Sequence, residues 1–274
     1  MQDKFSWIPP HGPLGRLTDA AHARASVLAT RMAEFRDQVR DAPDAVPFAA
    51  ALRRGDRVAV IAELKRQSPS KGVINADIEA TERASQYVAG GARALSILTE
   101  PREFGGRNED LLEVHRRVQV PLLKKDFHVH AVQLWEARAL GASAALLIAR
   151  ALPPAELMRL VDEAFAAGLE PLVEVRSEEE LDVALRTPAQ VIGVNARDLE
   201  TLVIEPEVSA RLLPAIPAER VRVAESGMSS ADDVECAARQ GAHAVLIGSI
   251  LSADPNPEAL LRQLCAVQRR AHDS

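Results

Sequence analysis

The chain has 274 residues, 47% of them hydrophobic, and a formal net charge of −6. This length allows one large α/β domain or two small ones. The acidic balance argues against a nucleic-acid surface, which would be basic, and nine aromatic residues (two Trp, one Tyr and six Phe) are too few for a base-stacking platform. We therefore expect a globular protein with no nucleic-acid partner.

The sequence also bears on the compartment. No apolar run reaches the about 18 residues that a membrane-spanning helix needs, and residues 1–20 lack the basic start and apolar core of a secretory signal. Cys236 and Cys265 form no metal-ligand cluster and are compatible with a reducing environment. We expect a cytoplasmic protein without a membrane partner.

The first 55 residues differ in pattern from the rest. Residues 1–14 contain three prolines and are predicted to be irregular. Apolar residues then recur at helical spacing from about Leu17 to Arg40, which predicts one long helix, and a short helix is expected around Pro47 to Arg53. Because these segments precede the first strand, we interpret 1–55 as an N-terminal helical extension of a single domain, 1–274.

After residue 58, apolar β-branched runs alternate with segments of helical periodicity. Eight βα units in about 220 residues are typical of a closed (β/α)8 TIM barrel. An open doubly wound sheet is the alternative, but no Gly-x-Gly-x-x-Gly fingerprint follows the first strand. The predicted strands are 58–63, 93–98, 120–125, 144–148, 170–175, 190–195, 220–225 and 243–248, and the predicted helices are 78–89, 107–118, 130–140, 154–167, 178–186, 206–213, 230–240 and 256–270.

Charged residues occur where several predicted strands end. Alternate residues of a strand share a face, so Glu63 and Lys65 continue one face of the first strand. In the third strand the alternation sends Lys124 and Lys125 to opposite faces, and parity with Pro121 and Leu123 favours Lys125 as the inward residue, although the alternation alone does not fix which face is the inner one. In a barrel of this type the reactive groups lie at the carboxyl ends of the strands. The same alternation places Glu174, Asn195, Arg197 and Glu225 at the ends of strands five to seven.

These side chains would share one small opening of the barrel. Charges that lie so close shift one another's pKa values, which is a common sign of acid/base chemistry. A structural network of ion pairs is the alternative. We expect an active site because carboxylates, ammonium groups, a guanidinium and an amide all converge there.

A second group of residues suggests a phosphate site. Glycines at the ends of the last two strands, in Ser226-Gly227 and Gly248-Ser249, allow backbone N–H groups to approach an anion, and a helix is predicted to begin just after residue 229. The loop from Ser68 to Gly72 adds hydroxyl groups and a lysine. The alternative is that the glycines serve only tight turns.

Aromatic residues and histidines complete the set of candidates. Phe104 and Phe127 follow strand ends in loops and are candidates to hold a flat ring, and Trp7 would join them if the N-terminal segment folds over the opening. His128 and His130 could bind a metal, but we expect them in a solvated loop, and the sequence predicts no metal site.

Segments on seven of the eight predicted strands resemble the indole-3-glycerol phosphate synthase family. In chain order they are AELKRQSPSKG, LSILTEPREFGG, PLLKKDF, PLVEV, VIGVNARDLETL, VAESG and VLIGS, and the resemblance covers roughly Phe48 to Leu261. It implies a decarboxylating ring closure in tryptophan biosynthesis. The substrate would be 1-(2-carboxyphenylamino)-1-deoxyribulose 5-phosphate, and the products indole-3-glycerol phosphate, carbon dioxide and water, with no metal or organic cofactor.

The resemblance also implies a role for each candidate residue. Lys125 would be the general acid that protonates the ketone, and Glu174 the acid/base group of the dehydration, with Glu63 and Lys65 as further candidates for that step. Asn195 and Glu225 would orient the sugar hydroxyls and Lys125, and Arg197 would hold the carboxylate or anchor the opening of the barrel. Phe104 and Phe127 would enclose the ring. The phosphate would be bound by Ser226, Gly227, Gly248 and Ser249, with Lys65 and Ser68 nearby.

Three other functions remain open at this point. A phosphoribosylanthranilate isomerase would bind a similar phosphate without needing Glu63, Lys65, Lys125 and Glu174. A Schiff-base aldolase would use Lys125 as its nucleophile, and a non-catalytic paralogue would only bind a phosphorylated ligand. In each case the expected partner is a small phosphorylated molecule, and we expect a monomer or a weak homo-oligomer.

Overall fold

The computed structural model describes residues 7–270. Eight of its strands form a closed parallel barrel, and two short ones form an antiparallel hairpin. The strands are β1 (Ala59–Leu64), β2 (Gln67–Ser68), β3 (Gly72–Val73), β4 (Ala94–Leu98), β5 (Leu122–Lys125), β6 (Ala144–Ile148), β7 (Glu170–Val175), β8 (Val191–Asn195), β9 (Val221–Glu225) and β10 (Ala244–Ile247). The β2–β3 hairpin lies in the loop after β1 and was not predicted from the sequence.

Helices alternate with the barrel strands, as the sequence predicts. They are α1 (Gly12–Leu28), α2 (Met32–Arg40), α3 (Phe48–Arg53), α4 (Ala80–Ala89), α5 (Asn108–Arg117), α6 (Ala131–Ala139), α7 (Pro154–Ala166), α8 (Glu178–Leu185), α9 (Pro206–Leu212), α10 (Ala231–Arg239), α11 (Ser249–Ala253) and α12 (Pro257–Leu264). No helix within residues 7–270 is long and apolar enough to cross a bilayer.

The barrel strands are buried on both faces, which explains their nearly continuous apolar sequences. Every residue of β1 is buried, and so is every residue of β8 and β9. Each square ångström of apolar surface that is removed from water stabilises the fold by roughly 25 cal/mol. The apolar strands therefore favour a sheet that is covered by helices outside and filled by side chains inside. The polar residues at the strand ends are exceptions that need partners.

The register of the parallel strands brings the predicted site residues to one end of the barrel. Glu174 on β7 is level with Gly193 on β8, and Asn195 at the end of β8 is level with Glu225 at the end of β9. On the other side of the barrel β1 closes the sheet by pairing with both β4 and β10. The carboxyl ends of the strands therefore form one opening, called the mouth below.

The single long helix predicted for 17–40 is wrong in two respects. The first helix already begins at Gly12, because Pro13 in its first turn lacks an N–H that a helix start leaves unbonded anyway. A 3-10 turn, Ala29–Arg31, then separates α1 from α2. The hydroxyl of Thr30 donates to the carbonyl of Val27 at 3.1 Å, a local bond that competes with the regular helical ladder.

The last helix is shorter than the predicted 256–270. It ends at Leu264 because the following segment runs along the start of the first strand, where the N–H of Val58 donates to the carbonyl of Val267 at 2.9 Å. A short helix, α11, also follows β10 directly where the sequence indicated only a loop.

Candidate active site

A cavity of about 340 Å³ opens at the mouth of the barrel. Its lining comes from the strand ends, the loops that follow them and the start of α1. All fourteen residues to which the family resemblance assigns a role lie in this lining: Glu63, Lys65, Ser68, Phe104, Lys125, Phe127, Glu174, Asn195, Arg197, Glu225, Ser226, Gly227, Gly248 and Ser249.

Lys125 lies between two carboxylates from other strands. Its Nζ is 2.9 Å from Oε2 of Glu225 and 3.3 Å from Oε2 of Glu174. Burial lowers the pKa of Lys125, but the charges of Glu225, Glu174 and Glu63 outweigh burial, so the net direction is upward. The Lys125 side chain is therefore an ammonium group that retains its proton and points toward the cavity.

Glu63 and Lys65 form a second ion pair at the end of β1, with Oε1 of Glu63 2.9 Å from Nζ of Lys65. Burial raises the pKa of Glu63, but the positive charges of Lys65 and Lys125 prevail and the net shift is downward. A Cβ atom at Gly248 would clash with the Glu63 carboxylate. The glycine that the sequence assigns to phosphate binding therefore also leaves room for this side chain.

Glu225 is the most enclosed of the carboxylates. Burial raises its pKa, and the neighbouring Glu174 adds to the rise against the opposing effect of Lys125. Among residues 7–270, its Oε1 has no hydrogen-bond partner. That oxygen lies against Gly193, where a Cβ atom would clash with it. The two-residue alternation places Gly193 in file with Asn195 and Arg197, but sequence reasoning gave it no role, although a glycine inside a buried strand signals a close approach.

Asn195 fixes the backbone at the end of β8. Its Oδ1 accepts hydrogen bonds from the Arg197 N–H at 2.9 Å and from the Ser226 hydroxyl at 2.8 Å. Ser226 has φ 68°, a left-handed conformation that costs a non-glycine residue roughly 1–2 kcal/mol. Strain of this kind persists only where surrounding contacts enforce it, and such positions cluster at functional sites.

The predicted helix start after Ser226-Gly227 is present, with Ser230 as the N-cap of α10. However, the N–H of Ser229 already donates to Oδ2 of Asp233 at 2.8 Å. A carboxylate of the helix's own first turn thus occupies this donor.

The two phenylalanines that the sequence pairs do lie together. The ring centroids of Phe104 and Phe127 are 6.3 Å apart with an interplanar angle of 38°. Trp7 does not join them, because its Nε1 donates to the carbonyl of Arg150 at 3.2 Å outside the cavity lining. Leu14 and Leu17 of α1 line the cavity instead. Helical spacing marks Leu17 as buried, whereas Leu14 falls in the segment predicted to be irregular, and no sequence signal indicates which surface either residue covers.

The expectation of a solvated His128 is wrong. This side chain is buried, and its Nδ1 lies 2.8 Å from the carbonyl oxygen of Leu146. Burial, with Lys124 nearby, lowers the pKa of His128 to about 4, so the ring is neutral at ordinary pH. His130 is exposed and caps α6. Within 7–270, no group of three or more His, Cys, Asp or Glu side chains is placed to hold a metal ion.

Comparison with known proteins identifies the family. Residues 16–264 match the family model described as "Indole-3-glycerol phosphate synthase". The chain is 45% identical over 252 residues to indole-3-glycerol phosphate synthase 1 of Streptomyces coelicolor, covering 92% of each protein. It is 46% identical over 272 residues to the indole-3-glycerol phosphate synthase of Opitutus terrae, covering 97% of this chain and 100% of that protein.

Solved structures support the fold alone. The 3-hexulose-6-phosphate synthase of Salmonella typhimurium aligns with a TM-score of 0.61 at 12% identity, covering 76% of this chain and 97% of that one. The evidence for function comes instead from the sequence relatives and from the family model, which spans almost the whole barrel. On these grounds the chain belongs to the indole-3-glycerol phosphate synthase family.

Proposed function

We propose that this chain converts 1-(2-carboxyphenylamino)-1-deoxyribulose 5-phosphate to indole-3-glycerol phosphate, carbon dioxide and water, the reaction of its family, at the cavity in the barrel mouth. The observation that carries the proposal is the placement of Lys125, an ammonium group held by two carboxylates and facing the cavity. A reaction that begins by protonating a ketone needs a donor of this kind.

The first step forms a carbon–carbon bond. The ring carbon that bears the carboxylate attacks the ketone carbon, and the ketone oxygen takes a proton from the Lys125 ammonium. Because Glu174 and Glu225 favour the charged form of Lys125, the positive charge is in place before the oxygen develops negative charge. The rings of Phe104 and Phe127 contact each other, with their centroids 6.3 Å apart, and together they offer an apolar surface that aligns the substrate ring for attack.

The second step releases carbon dioxide from the same ring carbon, and the electron pair left behind restores the aromatic ring. Arg197 lines the cavity and holds the carboxylate until it leaves. Burial lowers the pKa of Arg197, but a guanidinium remains charged at neutral pH.

The third step is dehydration. The new hydroxyl takes a proton and departs as water, and the neighbouring carbon loses a proton to a base. Lys65 and Glu174 are the candidates for these roles because both line the cavity and each belongs to an ion pair. We assign the acid/base exchange to Glu174, and Lys65, with Glu63 beside it, to the departing hydroxyl.

The phosphate is bound by the loops after β9 and β10. Ser226, Gly227, Gly248 and Ser249 line the cavity together with Ser68 from the hairpin after β1. Asn195 supports this region by accepting the Ser226 hydroxyl. A phosphate fixed here anchors the sugar chain, and Asn195 and Glu225 orient its hydroxyl groups.

The aldolase alternative is less well supported. A Schiff-base lysine must lose its proton to act as a nucleophile, and such lysines usually have a lowered pKa. The pKa of Lys125 is raised instead, since two carboxylates lie within 3.3 Å of its Nζ. This environment keeps Lys125 protonated, which is the form that a general acid needs and that a nucleophile must lose.

The test is to add the carboxyphenylamino-deoxyribulose phosphate to the purified protein and follow the fluorescence of the indole product. We expect product from the wild type and a loss of at least about a hundredfold in Lys125→Ala, the effect of removing a positioned acid. Absence of product, or full activity in the variant, would reject the proposal. Borohydride reduction in the presence of substrate should trap no covalent adduct, and trapping would favour the aldolase.

A further inference from the structure

Arg24, in the middle of α1, binds two carboxylates that follow neighbouring barrel strands. Its Nη2 lies 2.6 Å from Oδ1 of Asp126, directly after β5, and its Nη1 lies 3.6 Å from Oε1 of Glu100, shortly after β4. The Glu100 side chain is fully buried and that of Asp126 is 7% exposed. A buried carboxylate needs a partner of opposite charge, and the Arg24 guanidinium is such a partner for both Glu100 and Asp126.

Asp126 controls the backbone that carries one aromatic wall. Its Oδ1 accepts the N–H of Phe127 at 2.7 Å, and its Oδ2 accepts the hydroxyl of Thr99 at 2.9 Å. Asp126 therefore links the start of the loop after β5 to the end of β4. The position of Phe127 depends on the orientation of this carboxylate.

Glu100 controls the backbone that carries the second ring, Phe104. Its Oε2 accepts the N–H groups of Glu103 at 2.7 Å and Phe104 at 3.2 Å, and its Oε1 accepts the N–H of Arg102 at 3.1 Å. Three consecutive N–H groups thus converge on one carboxylate, which sets the turn from which Phe104 projects. This is the carboxylate whose other contact is the guanidinium of Arg24.

We propose that Arg24 is a positioning residue that sets the spacing of the Phe104 and Phe127 rings through the carboxylates that hold their backbones. It does not line the cavity, and it acts only through those two loops. The helical extension therefore contributes to recognition of the aromatic ring of the substrate and not to binding of the phosphate. This inference rests on the proposed function for the identity of the ring.

The test compares ligands that carry the ring with ligands that lack it. Arg24→Gln removes the charge, and Arg16→Gln on the same helix is the matched control, because Arg16 is exposed and no ion pair of it is found within 7–270. For each protein the measurements are kcat and KM for the substrate, and the inhibition constants of indole-3-glycerol phosphate and of glycerol 3-phosphate.

For Arg24→Gln we expect KM and the inhibition constant of indole-3-glycerol phosphate to rise about tenfold, as expected when an aromatic contact is misaligned. The inhibition constant of glycerol 3-phosphate should stay close to the wild-type value, kcat should fall because the ring is less well aligned for attack, and Arg16→Gln should change nothing. Arg24→Lys keeps the charge but loses the forked guanidinium that reaches both carboxylates. We therefore expect a smaller rise in KM and in the inhibition constant of indole-3-glycerol phosphate, again without a change for glycerol 3-phosphate.

Equal weakening of both inhibitors would overturn the proposal, since it would show general loosening of the mouth. Unchanged constants in Arg24→Gln would also overturn it. If Arg24→Gln does not fold, Arg24→Lys decides, and a lysine variant without selective loss for the ring-bearing inhibitor refutes the proposal. Wild-type turnover tests the function separately, because a protein that makes no product fails before any variant is compared.

Discussion

Lys124 and Lys125 are neighbours on β5, yet they lie in two different regions of the molecule. Lys125 points into the mouth, where two carboxylates lie within 3.3 Å of its Nζ and a cavity lies beside it. Lys124 points outward toward α6, where its Nζ contacts Oε2 of Glu136 at 2.6 Å. The Lys124 side chain is only 2% exposed, against 13% for Lys125.

Under the proposed function, this difference separates a structural ion pair at Lys124 from a reactive one at Lys125. At Lys124 one ammonium meets one carboxylate, and Asn108 donates to the other oxygen of Glu136 at 3.1 Å. The outer pair is thus satisfied and closed to a ligand. At Lys125 carboxylates are in excess, and Glu225 retains an oxygen without a partner among the residues described. Lys125 and Glu225 are therefore placed so that either could exchange a proton with a molecule bound in the cavity.

The largest expected effect is on catalysis at the mouth. Lys125→Met should lower kcat/KM by about 10²- to 10⁴-fold, because the positioned acid is lost. Its folding stability should fall less than that of the Lys124 variant described next, because the raised pKa of Glu225 lets this carboxylate take up a proton once the ammonium group is removed. Turnover by indole fluorescence and thermal unfolding measure the two quantities, and a loss below tenfold would remove the distinction between the two lysines.

Replacing Lys124, the outward-facing lysine, should lower stability and leave activity unchanged. Lys124→Met should cost about 3–5 kcal/mol in the free energy of unfolding, because Glu136 would keep a buried charge without its cation. Activity of the folded fraction should be unchanged. Denaturant unfolding measures the loss, and Lys124→Met combined with Glu136→Leu should recover much of it. Wild-type stability in the single variant would contradict a structural role.

The outer region should also depend on pH through His128, which lies near Lys124 and Glu136. The unfolded chain takes up a proton on this histidine near pH 6.5, but the folded protein does so only near about 4. The stabilisation is therefore present above about pH 6.5 and is lost as the pH falls toward 4, by about 3 kcal/mol in all.

His128→Gln is the control for that dependence. Between pH 7.5 and pH 4.5, the free energy of unfolding should fall less in the variant than in the wild type. The carboxylates contribute equally to this fall in the two proteins. Parallel losses in the two proteins would mean that the buried imidazole does not govern the acid side of the stability curve.

A smaller effect is expected at Gly193. An added methyl group in Gly193→Ala would press on the Glu225 carboxylate and displace the partner of Lys125. We expect kcat/KM to fall about tenfold, or about 1.4 kcal/mol, which is typical of a misplaced supporting group. Ala189→Gly, a small change at a buried site away from the mouth, is a control for perturbed packing. Full activity in Gly193→Ala would show that Glu225 tolerates displacement.

The barrel and most of the candidate site could be predicted from the sequence for simple reasons. Apolar β-branched runs mark strands buried on both faces, and the two-residue alternation separates Lys125 from Lys124 without coordinates. The seven family segments add a reaction that spacing alone would not supply. The ends of the helices are predicted less well, as the turn at Ala29–Arg31 and the early end of α12 show.

The sequence by itself determined which residues meet at the mouth, because in a closed parallel barrel all strand ends lie on one rim. Only the tertiary structure decided which groups contact each other: that Glu225 requires Gly193, that Leu14 and Leu17 cover the cavity in place of Trp7, that His128 is buried, and that Arg24 reaches two loops. These contacts depend on packing between segments far apart in the chain, which local periodicity does not encode.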